Sequence, residues 1–229
     1  MCWVGVVEKM HPRARRREME RRKRDAIFDT QHRVDTGGIV RPKPESVVGS
    51  NWDMGVRYQA IDANCFTSTL QSLAIEHSRF TFMDLGSGKG RALLLASTFP
   101  FRRVIGVEYC EELNEIARQN VANYTASARR CSDIAIITAD ATTFAIPAGP
   151  LVLFFFNPFG QRVMAKVVEN VMASYRKFPR QIILIYDTPY FVEVWKQTGI
   201  FKTLQEAPAI LDTGPICHPG LSRAGRRES

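Results

Sequence analysis

The sequence predicts an α/β protein with a doubly wound, mostly parallel sheet and helices on both faces of that sheet. From Phe80 onward, short apolar segments rich in β-formers alternate with longer helical segments, as in a parallel sheet. These strands are nearly all apolar rather than alternating, which is typical of sheets buried on both faces. A turn that contains Gly86, Gly88 and Gly90 joins the first of them directly to a helix.

Five strands and four helices are expected to form this sheet and its covering layers. In the last two helices, apolar residues recur at spacings of three and four, which places them on one helical face. The strands are expected at residues 80–85, 103–108, 134–138, 151–156 and 181–186. The helices are expected at residues 89–98, 111–127, 161–177 and 190–197.

Three further segments complete the expected layout. Residues 66–73, with Ala74 and Ile75, have the pattern of a helix that packs on the sheet edge. Residues 35–51 contain three glycines and two prolines, so irregular structure is expected there. Residues 200–204 and 209–211 are expected to add an antiparallel pair at the edge of the sheet.

The positive charge of the chain is concentrated at its two ends. The formal net charge is +8, but residues 25–221 hold 19 basic and 19 acidic side chains. We therefore expect a basic, flexible arm over residues 1–24, a helical or irregular lead-in over 25–65, a main domain over 66–216 and a basic, flexible tail over 217–229. Residues 13–24 either bind phosphates or anionic lipid weakly or remain a solvated arm.

The cysteines and histidines do not form a recognisable metal or disulfide pattern. The five cysteines are odd in number and lack C-x-x-C spacing, and the four histidines are scattered, so no metal is expected. No apolar run approaches the roughly 20 residues that span a bilayer. The first residues also lack the order of a signal peptide. A cytoplasmic enzyme without a transmembrane segment is the resulting expectation.

The glycine-rich turn lies in the segment FMDLGSGKGRALLLA, and its spacing limits the ligands it can bind. Glycine allows the positive φ of a tight turn and lets a ligand approach the backbone. The segment is not a phosphate-binding P-loop, because Gly90 occupies the position of the required Ser or Thr. It also departs from the dinucleotide fingerprint, because Arg91 occupies the position of the third glycine.

With an acid two residues before G-x-G-x-G, the segment resembles the first motif of the class I S-adenosylmethionine-dependent methyltransferases. The resemblance implies a Rossmann-like fold of that type, with S-adenosyl-L-methionine as cofactor. It also implies that Glu108, at the end of the second strand, binds the ribose hydroxyls. Asp140 and the Ala141 N–H would contact the adenine. Further cofactor-binding residues implied at the first motif are Asp84, Gly86, Ser87, Gly88 and Gly90.

The resemblance covers about residues 55–190. It includes Tyr58, whose position matches a short pre-motif that touches the methionine part of the cofactor; ordinary core packing is the alternative role. The form DLGSGKG with a later Asn-aromatic strand end is particularly similar to the Dot1-type protein lysine methyltransferases and related uncharacterised bacterial proteins. Three acids around one crevice also suit a cationic sulfonium, whereas they would repel a pyrophosphate.

The fourth strand ends in Asn157, Pro158 and Phe159, which are the expected catalytic residues. The segment is similar to the (Asn/Asp/Ser)-Pro-Pro-(Tyr/Phe) motif of methyltransferases that act on nitrogen, although one proline is missing. Asn157 would accept a hydrogen bond from the incoming N–H, and Phe159 would cover the acceptor or the methyl group. A plain strand-to-helix turn is the alternative. Asp187 and Tyr190 are further candidates for the acceptor side.

The predicted function is therefore methyl transfer to a nitrogen acceptor by in-line displacement. The acceptor is a protein side chain, a nucleic acid or a small amine, and the sequence does not choose among them. An alternative is a non-catalytic S-adenosylmethionine-binding module that docks on nucleic acid or membrane through its basic arm. A nicotinamide-dependent dehydrogenase is disfavoured by Arg91 and by the absence of a hydride-transfer residue pair.

Overall fold

The computed structural model of the protein describes residues 12–40, 47–48, 58–125, 129–206 and 208–214. They form a seven-stranded sheet, a two-stranded sheet and six α-helices. The strands are β1 (Ile39–Val40), β2 (Tyr58–Gln59), β3 (Thr81–Leu85), β4 (Arg103–Glu108), β5 (Ile134–Thr138), β6 (Leu151–Phe156), β7 (Ile182–Asp187), β8 (Lys202–Glu206) and β9 (Ala209–Asp212). The α-helices are α1 (Pro12–His32), α2 (Ala63–Ser72), α3 (Arg91–Ala96), α4 (Glu111–Asn123), α5 (Gln161–Lys177) and α6 (Glu193–Lys196), and a short 3-10 helix covers His77–Arg79.

The main sheet has the strand order β5-β4-β3-β6-β7-β9-β8. Neighbouring strands from β5 to β7 are parallel, whereas β9 and β8 are antiparallel to their neighbours. The chain runs outward from β3 through β4 to β5, and it then returns to place β6 on the other side of β3. The strand order thus reverses between β3 and β6, where a crevice forms at the carboxyl ends of the strands. The doubly wound, mostly parallel fold predicted from the sequence is confirmed.

Apolar side chains cover both faces of this sheet. On one face, Phe66 of α2 packs edge-on against Phe82 of β3 and Phe154 of β6, with ring centroids 5.8 and 4.9 Å apart. Burying a side chain of this size contributes roughly 1.5–3 kcal/mol. On the other face α5 presents one apolar stripe, because its buried residues recur at helical spacing. They are Val163, Met164, Val167, Val168, Val171 and Met172.

Each predicted strand and helix occurs in the structure, but the ends of several strands and helices are shifted by one to four residues. The antiparallel edge pair occurs as β8 and β9. Helix α3 ends at Ala96, two residues before the predicted end, and α4 ends at Asn123. Helix α6 is shorter than the predicted residues 190–197. Its start is delayed because Thr188 has a φ of +53° and Pro189 follows, so the chain makes a turn before it becomes helical.

The N-terminal segment differs from the expected flexible arm. Residues 12–24 form the first part of α1, which continues to His32, so the expected boundary after residue 24 falls inside a helix. Ion pairing explains the order of this polar helix: Arg21 Nη1 donates to Asp25 Oδ2 at 2.8 Å, and both side chains are largely buried. Residues 1–11 of the arm and the predicted tail lie outside the described residues, as does most of the segment expected to be irregular.

Candidate functional site

The glycine-rich turn follows β3 and approaches β4 closely. The Gly86 and Ser87 N–H groups both donate to the Val107 carbonyl, at 2.8 and 3.2 Å. Gly86, Gly88 and Gly90 have φ values of +94°, +51° and +83°, in the left-handed region that glycine favours. Gly90 then caps the N-terminus of α3. Residues other than glycine would therefore adopt the backbone conformation of this turn only with strain.

Two buried carboxylates lie beside this turn. Asp84 is in β3 and Glu108 is the last residue of β4, and their exposed fractions are 4% and 5%. Glu108 Oε2 accepts a hydrogen bond from Gly88 N at 2.9 Å, and its Oε1 accepts one from Cys110 N at 3.1 Å. Burial raises the pKa of Glu108 to about 6. Burial and the neighbouring Glu108 carboxylate raise the pKa of Asp84 well above its ordinary value.

The third predicted acid, Asp140, follows β5 by two residues. Its Oδ1 accepts hydrogen bonds from the N–H and the hydroxyl of Thr142, at 2.9 and 2.7 Å. The preceding residue, Ala139, donates its N–H to the Glu108 carbonyl at 3.1 Å. Asp140 is thereby fixed next to the end of β4, because parallel neighbouring strands end at the same edge of the sheet.

A cavity of about 360 Å³ opens at this edge. Its volume is in the range of small-molecule sites. Of the predicted cofactor-binding residues, Gly88 and Gly90 do not line it: Gly88 is covered by Tyr58, and Gly90 faces Ala117 of α4. The predicted residues that do line it are Tyr58, Asp84, Gly86, Ser87, Glu108, Asp140 and Ala141, together with Asn157, Pro158 and Phe159.

The end of β6 forms another wall of the cavity. Asn157 has a φ of +44°, and its Oδ1 accepts a long hydrogen bond of 3.5 Å from the Tyr186 hydroxyl. Pro158 packs on Gly86, so closely that a Cβ on that glycine would lie 2.4 Å from the Pro158 Cβ. Phe159 is buried and packs edge-on against Phe155 at a centroid distance of 6.4 Å. The positive φ turns the chain away from the sheet at the cavity.

Of the two further candidates, Asp187 at the end of β7 and Tyr190 after it, only one lines the cavity. Tyr190 does so, with 72% of its surface exposed. Asp187 is half-buried outside the lining and accepts a hydrogen bond from the Thr188 hydroxyl at 3.2 Å. Burial raises the pKa of Asp187. No group of three His, Cys, Asp or Glu residues in the described part of the chain is arranged to hold a metal ion. Nor does any helix in that part have the length and apolar character needed to cross a bilayer.

Sequence reasoning missed several residues of the cavity wall. Arg91 lines it, although the sequence suggested only that this residue breaks a dinucleotide fingerprint. Tyr109 lines it directly after Glu108, and Val48 approaches there because its N–H donates to the Tyr109 carbonyl at 2.9 Å. A signal for Arg91 was available, since an arginine in the first turn of an otherwise apolar helix requires buried partners. The missed set also includes Ile61 and Thr188.

Comparison with known proteins supports the fold. No family model matches the chain, and no curated protein matches it significantly. Among solved structures, a predicted N6-adenine-specific DNA methylase from Listeria monocytogenes superposes with a TM-score of 0.50 and 14% identity. The match covers 67% of this chain and 51% of that protein, so the chain spans about half of its length.

Two other solved structures are similar over a comparable part of the chain. One is an RNA methyltransferase from Salinibacter ruber in complex with S-adenosyl-L-homocysteine, with 16% identity, a TM-score of 0.43 and coverage of 67% and 91% of the two chains. The other is a putative S-adenosyl-L-methionine-dependent methyltransferase from Methanococcus maripaludis, with 15% identity, a TM-score of 0.46 and coverage of 66% and 82%. At such identities, structural likeness concerns the fold.

Proposed function

We propose that this chain, whose fold is that of the class I S-adenosylmethionine-dependent methyltransferases, binds S-adenosylmethionine and transfers its methyl group to a nitrogen acceptor. The observation that carries the proposal is a single cavity with acids on one side and Asn157, Pro158 and Phe159 on the other. Parallel strands end at one edge of a sheet, so residues distant in sequence meet there.

The residues of the cavity fit the proposed cofactor. Burial disfavours the ionised forms of Asp84 and Glu108 and raises the pKa of both, so a nearby cation such as a sulfonium would favour ionisation. The Ser87 hydroxyl is buried at the cavity wall without a hydrogen-bond partner among the described residues. A ligand with polar groups would supply that partner, since buried polar groups are rarely left unsatisfied.

Three residues are proposed to bind the adenosine part. Glu108 would accept hydrogen bonds from the ribose hydroxyls, because a carboxylate has about four acceptor sites and the N–H groups of Gly88, Cys110 and Tyr109 do not use all of them. Asp140 would contact the adenine amino group, and Ala141 would donate its N–H to the ring. The bound cofactor would supply an already activated methyl group on a sulfonium. The chain therefore has to position the two reactants, without a nucleophile of its own.

On the acceptor side, Asn157 is the proposed orienting residue. Its half-buried amide is fixed by the turn after β6, and among the described residues its Oδ1 accepts one long hydrogen bond, from the Tyr186 hydroxyl. That oxygen can accept a second hydrogen bond, from the acceptor N–H, and so direct the nitrogen lone pair towards the methyl group. Phe159 and Pro158 supply an apolar surface that excludes water from the reacting atoms.

The test is isothermal titration with S-adenosylhomocysteine and, separately, with NADH. The proposal requires binding of S-adenosylhomocysteine alone, with loss of that binding in Asp84→Ala and Glu108→Ala. Asp133→Ala is a matched control, because Asp133 also adjoins a strand of the sheet but is exposed and lies at the opposite edge. Binding of NADH alone would overturn the proposal.

A second proposal concerns an anionic partner, and the exposed surface of α1 favours it. Most of the basic side chains from Arg13 to Arg24 are exposed, including Arg15, Arg17 and Lys23. Such a surface suits a weak contact with the phosphates of a nucleic acid, as the acceptor or as the anchor of a non-catalytic binding module. Deleting residues 1–24 would be a poor test, because Arg21 is fastened to Asp25 inside the fold.

A further inference from the structure

Arg91 is a buried arginine that connects three separate segments of the chain. It follows Gly90, and only 3% of its surface is exposed. Its Nη1 donates to Asp25 of α1 and to the Ile61 carbonyl, the latter at 3.1 Å. Its Nε donates to the Thr36 hydroxyl at 2.7 Å. A guanidinium presents several donors in a fixed plane, so one side chain can hold all three segments at once.

Further hydrogen bonds join the loop after α1 to the glycine-rich turn and to α4. Lys89 Nζ donates to Asp35 Oδ1 at 2.7 Å and to the Gly37 carbonyl at 3.0 Å. Asn120 of α4 donates to the Asp35 and Lys89 carbonyls at 2.8 and 2.9 Å. Residues 35–37 are therefore held by polar contacts to two elements of the main domain.

These contacts bear directly on the cavity. The Tyr58 hydroxyl donates to the Thr36 carbonyl at 2.6 Å, and Arg91 holds the Ile61 carbonyl. Residues 58–61 all line the cavity, and so does Arg91 itself. The two ends of this wall segment are thus fixed by groups that belong to, or are held by, residues 25–37.

We infer that Arg91 is a positioning residue for the cofactor site and that residues 25–37 contribute to that site by holding its wall in place. The role of Arg91 is to hold the wall formed by residues 58–61 against the glycine-rich turn. The wall is then already ordered before a cofactor binds between it and the glycine-rich turn, which lowers the entropic cost of binding. The inference rests on the proposed function for the identity of the ligand, but the ordering of the wall can be measured without any ligand.

The experiment compares Arg91→Lys with Arg180→Lys. Lysine keeps the charge but lacks the planar fork, so it cannot hold Asp25, Thr36 and the Ile61 carbonyl together. Arg180 is a matched control: it is equally buried, and it is bound by the Gly149, Ser174 and Phe178 carbonyls away from the cavity. The readouts are amide hydrogen exchange of the ligand-free protein, thermal unfolding, and titration with S-adenosylhomocysteine.

We expect Arg91→Lys to lose amide protection at residues 58–61 and to weaken S-adenosylhomocysteine binding at least tenfold. Arg180→Lys is expected to lower the unfolding temperature while its dissociation constant stays within about twofold of the wild type. If the two variants changed exchange and affinity alike, Arg91 would be only structural and the inference would be wrong. Unchanged exchange at residues 58–61 in Arg91→Lys would also overturn it.

A milder variant covers the case in which Arg91→Lys does not fold. Thr36→Val removes the hydroxyl that joins Arg91 to Asp29 and leaves every charge in place. It should reproduce the loss of protection and a weaker affinity, and an unchanged result would overturn the inference. Failure of the wild type to bind S-adenosylhomocysteine would reject the proposed function instead, whereas exchange would still decide whether Arg91 orders the wall.

Discussion

The ring of Tyr58 lies so close to Gly88 that a Cβ on this glycine would be 2.1 Å from the Tyr58 Cδ2 atom. Pro158 covers Gly86 in the same way. One covering residue precedes the main sheet and the other follows β6, so the glycine-rich turn is enclosed by two walls of the cavity. The absence of side chains at both glycines is therefore a requirement of packing as well as of backbone conformation.

A first prediction separates these two requirements. Gly88→Ala should destabilise the protein more than Gly199→Ala. Both glycines have positive φ, but a Cβ at Gly199 meets no atom within 4 Å. A left-handed alanine costs about 1–2 kcal/mol, and displacement of the Tyr58 ring adds roughly 1–3 kcal/mol. Urea unfolding measures the difference, and equal destabilisation of the two variants would contradict the proposed packing of Tyr58.

A second prediction concerns the pH dependence contributed by Glu108. Burial raises its pKa from 4.5, the ordinary value of a glutamate side chain, to about 6 in the folded protein. Between these two values the folded state binds more protons than the unfolded state, so this contribution to stability falls as pH rises through that window. Well above pH 6 the cost is complete and amounts to about 2 kcal/mol.

Glu108→Gln removes this titration. The stability of Glu108→Gln relative to the wild type should therefore increase from pH 5 to pH 7.5, by about 1.2 kcal/mol. Urea unfolding of both proteins at each pH measures it, and taking the difference cancels the contributions of groups that do not interact with Glu108. A difference that stays constant over this range would mean that Glu108 is ionised normally in the fold.

A third prediction tests Asn157 as the orienting residue. Glycine tolerates the φ of +44° at this position, so Asn157→Gly removes the amide without backbone strain. S-adenosylhomocysteine affinity should stay within about twofold, while kcat should fall at least tenfold, or by roughly 1.4 kcal/mol. The assay uses the acceptor found by screening oligonucleotides, lysine peptides and small amines.

The matched control for Asn157 is Thr188→Gly. Thr188 also has a positive φ and also lines the cavity, but no orienting role is assigned to it. Its variant should keep kcat within about threefold of the wild type, a change of roughly 0.7 kcal/mol or less. Normal turnover in Asn157→Gly would mean that Asn157 has no orienting role and that the segment is a plain strand-to-helix turn.

A fourth prediction tests the basic surface of α1. The triple substitution of Arg15, Arg17 and Lys23 by Gln should weaken binding of a single-stranded oligonucleotide and flatten its dependence on salt. Each phosphate contact contributes about 0.7 to the slope of log affinity against log salt for single strands. Fluorescence anisotropy at several salt concentrations measures both effects.

The control for the basic surface is a triple Gln variant at Arg162, Lys166 and Arg176 on α5. These residues carry the same total charge and are also exposed, but they lie on another helix. If this variant weakened binding as much as the α1 variant, the attraction would be a general effect of net charge. Retention of S-adenosylhomocysteine binding by the α1 variant would show that its cofactor site is intact.

The sequence by itself determined the main sheet and identified several of the polar residues that line the cavity. Buried parallel strands have to be apolar on both faces, which made the strands recognisable. Acids at strand ends meet at one edge in such a fold, which brought Asp84, Glu108 and Asp140 together. The glycines at positions 86 and 88 could be recognised as parts of a tight turn, because a positive φ and a close approach to the backbone both favour glycine. Each of these signals is local in sequence or follows from a fixed topology.

Only the tertiary structure decided the role of α1 and of Arg91. Helix α1 has no apolar stripe, so its sequence is equally compatible with a solvated arm. It is ordered by ion pairs such as the one between Asp25 and Arg91, which are 66 residues apart. The charge pattern of a helix does not reveal which distant residue will form an ion pair with it, because any arginine of the chain could pair with any aspartate. Burial and geometry select one pair, and both arise only when the chain has folded.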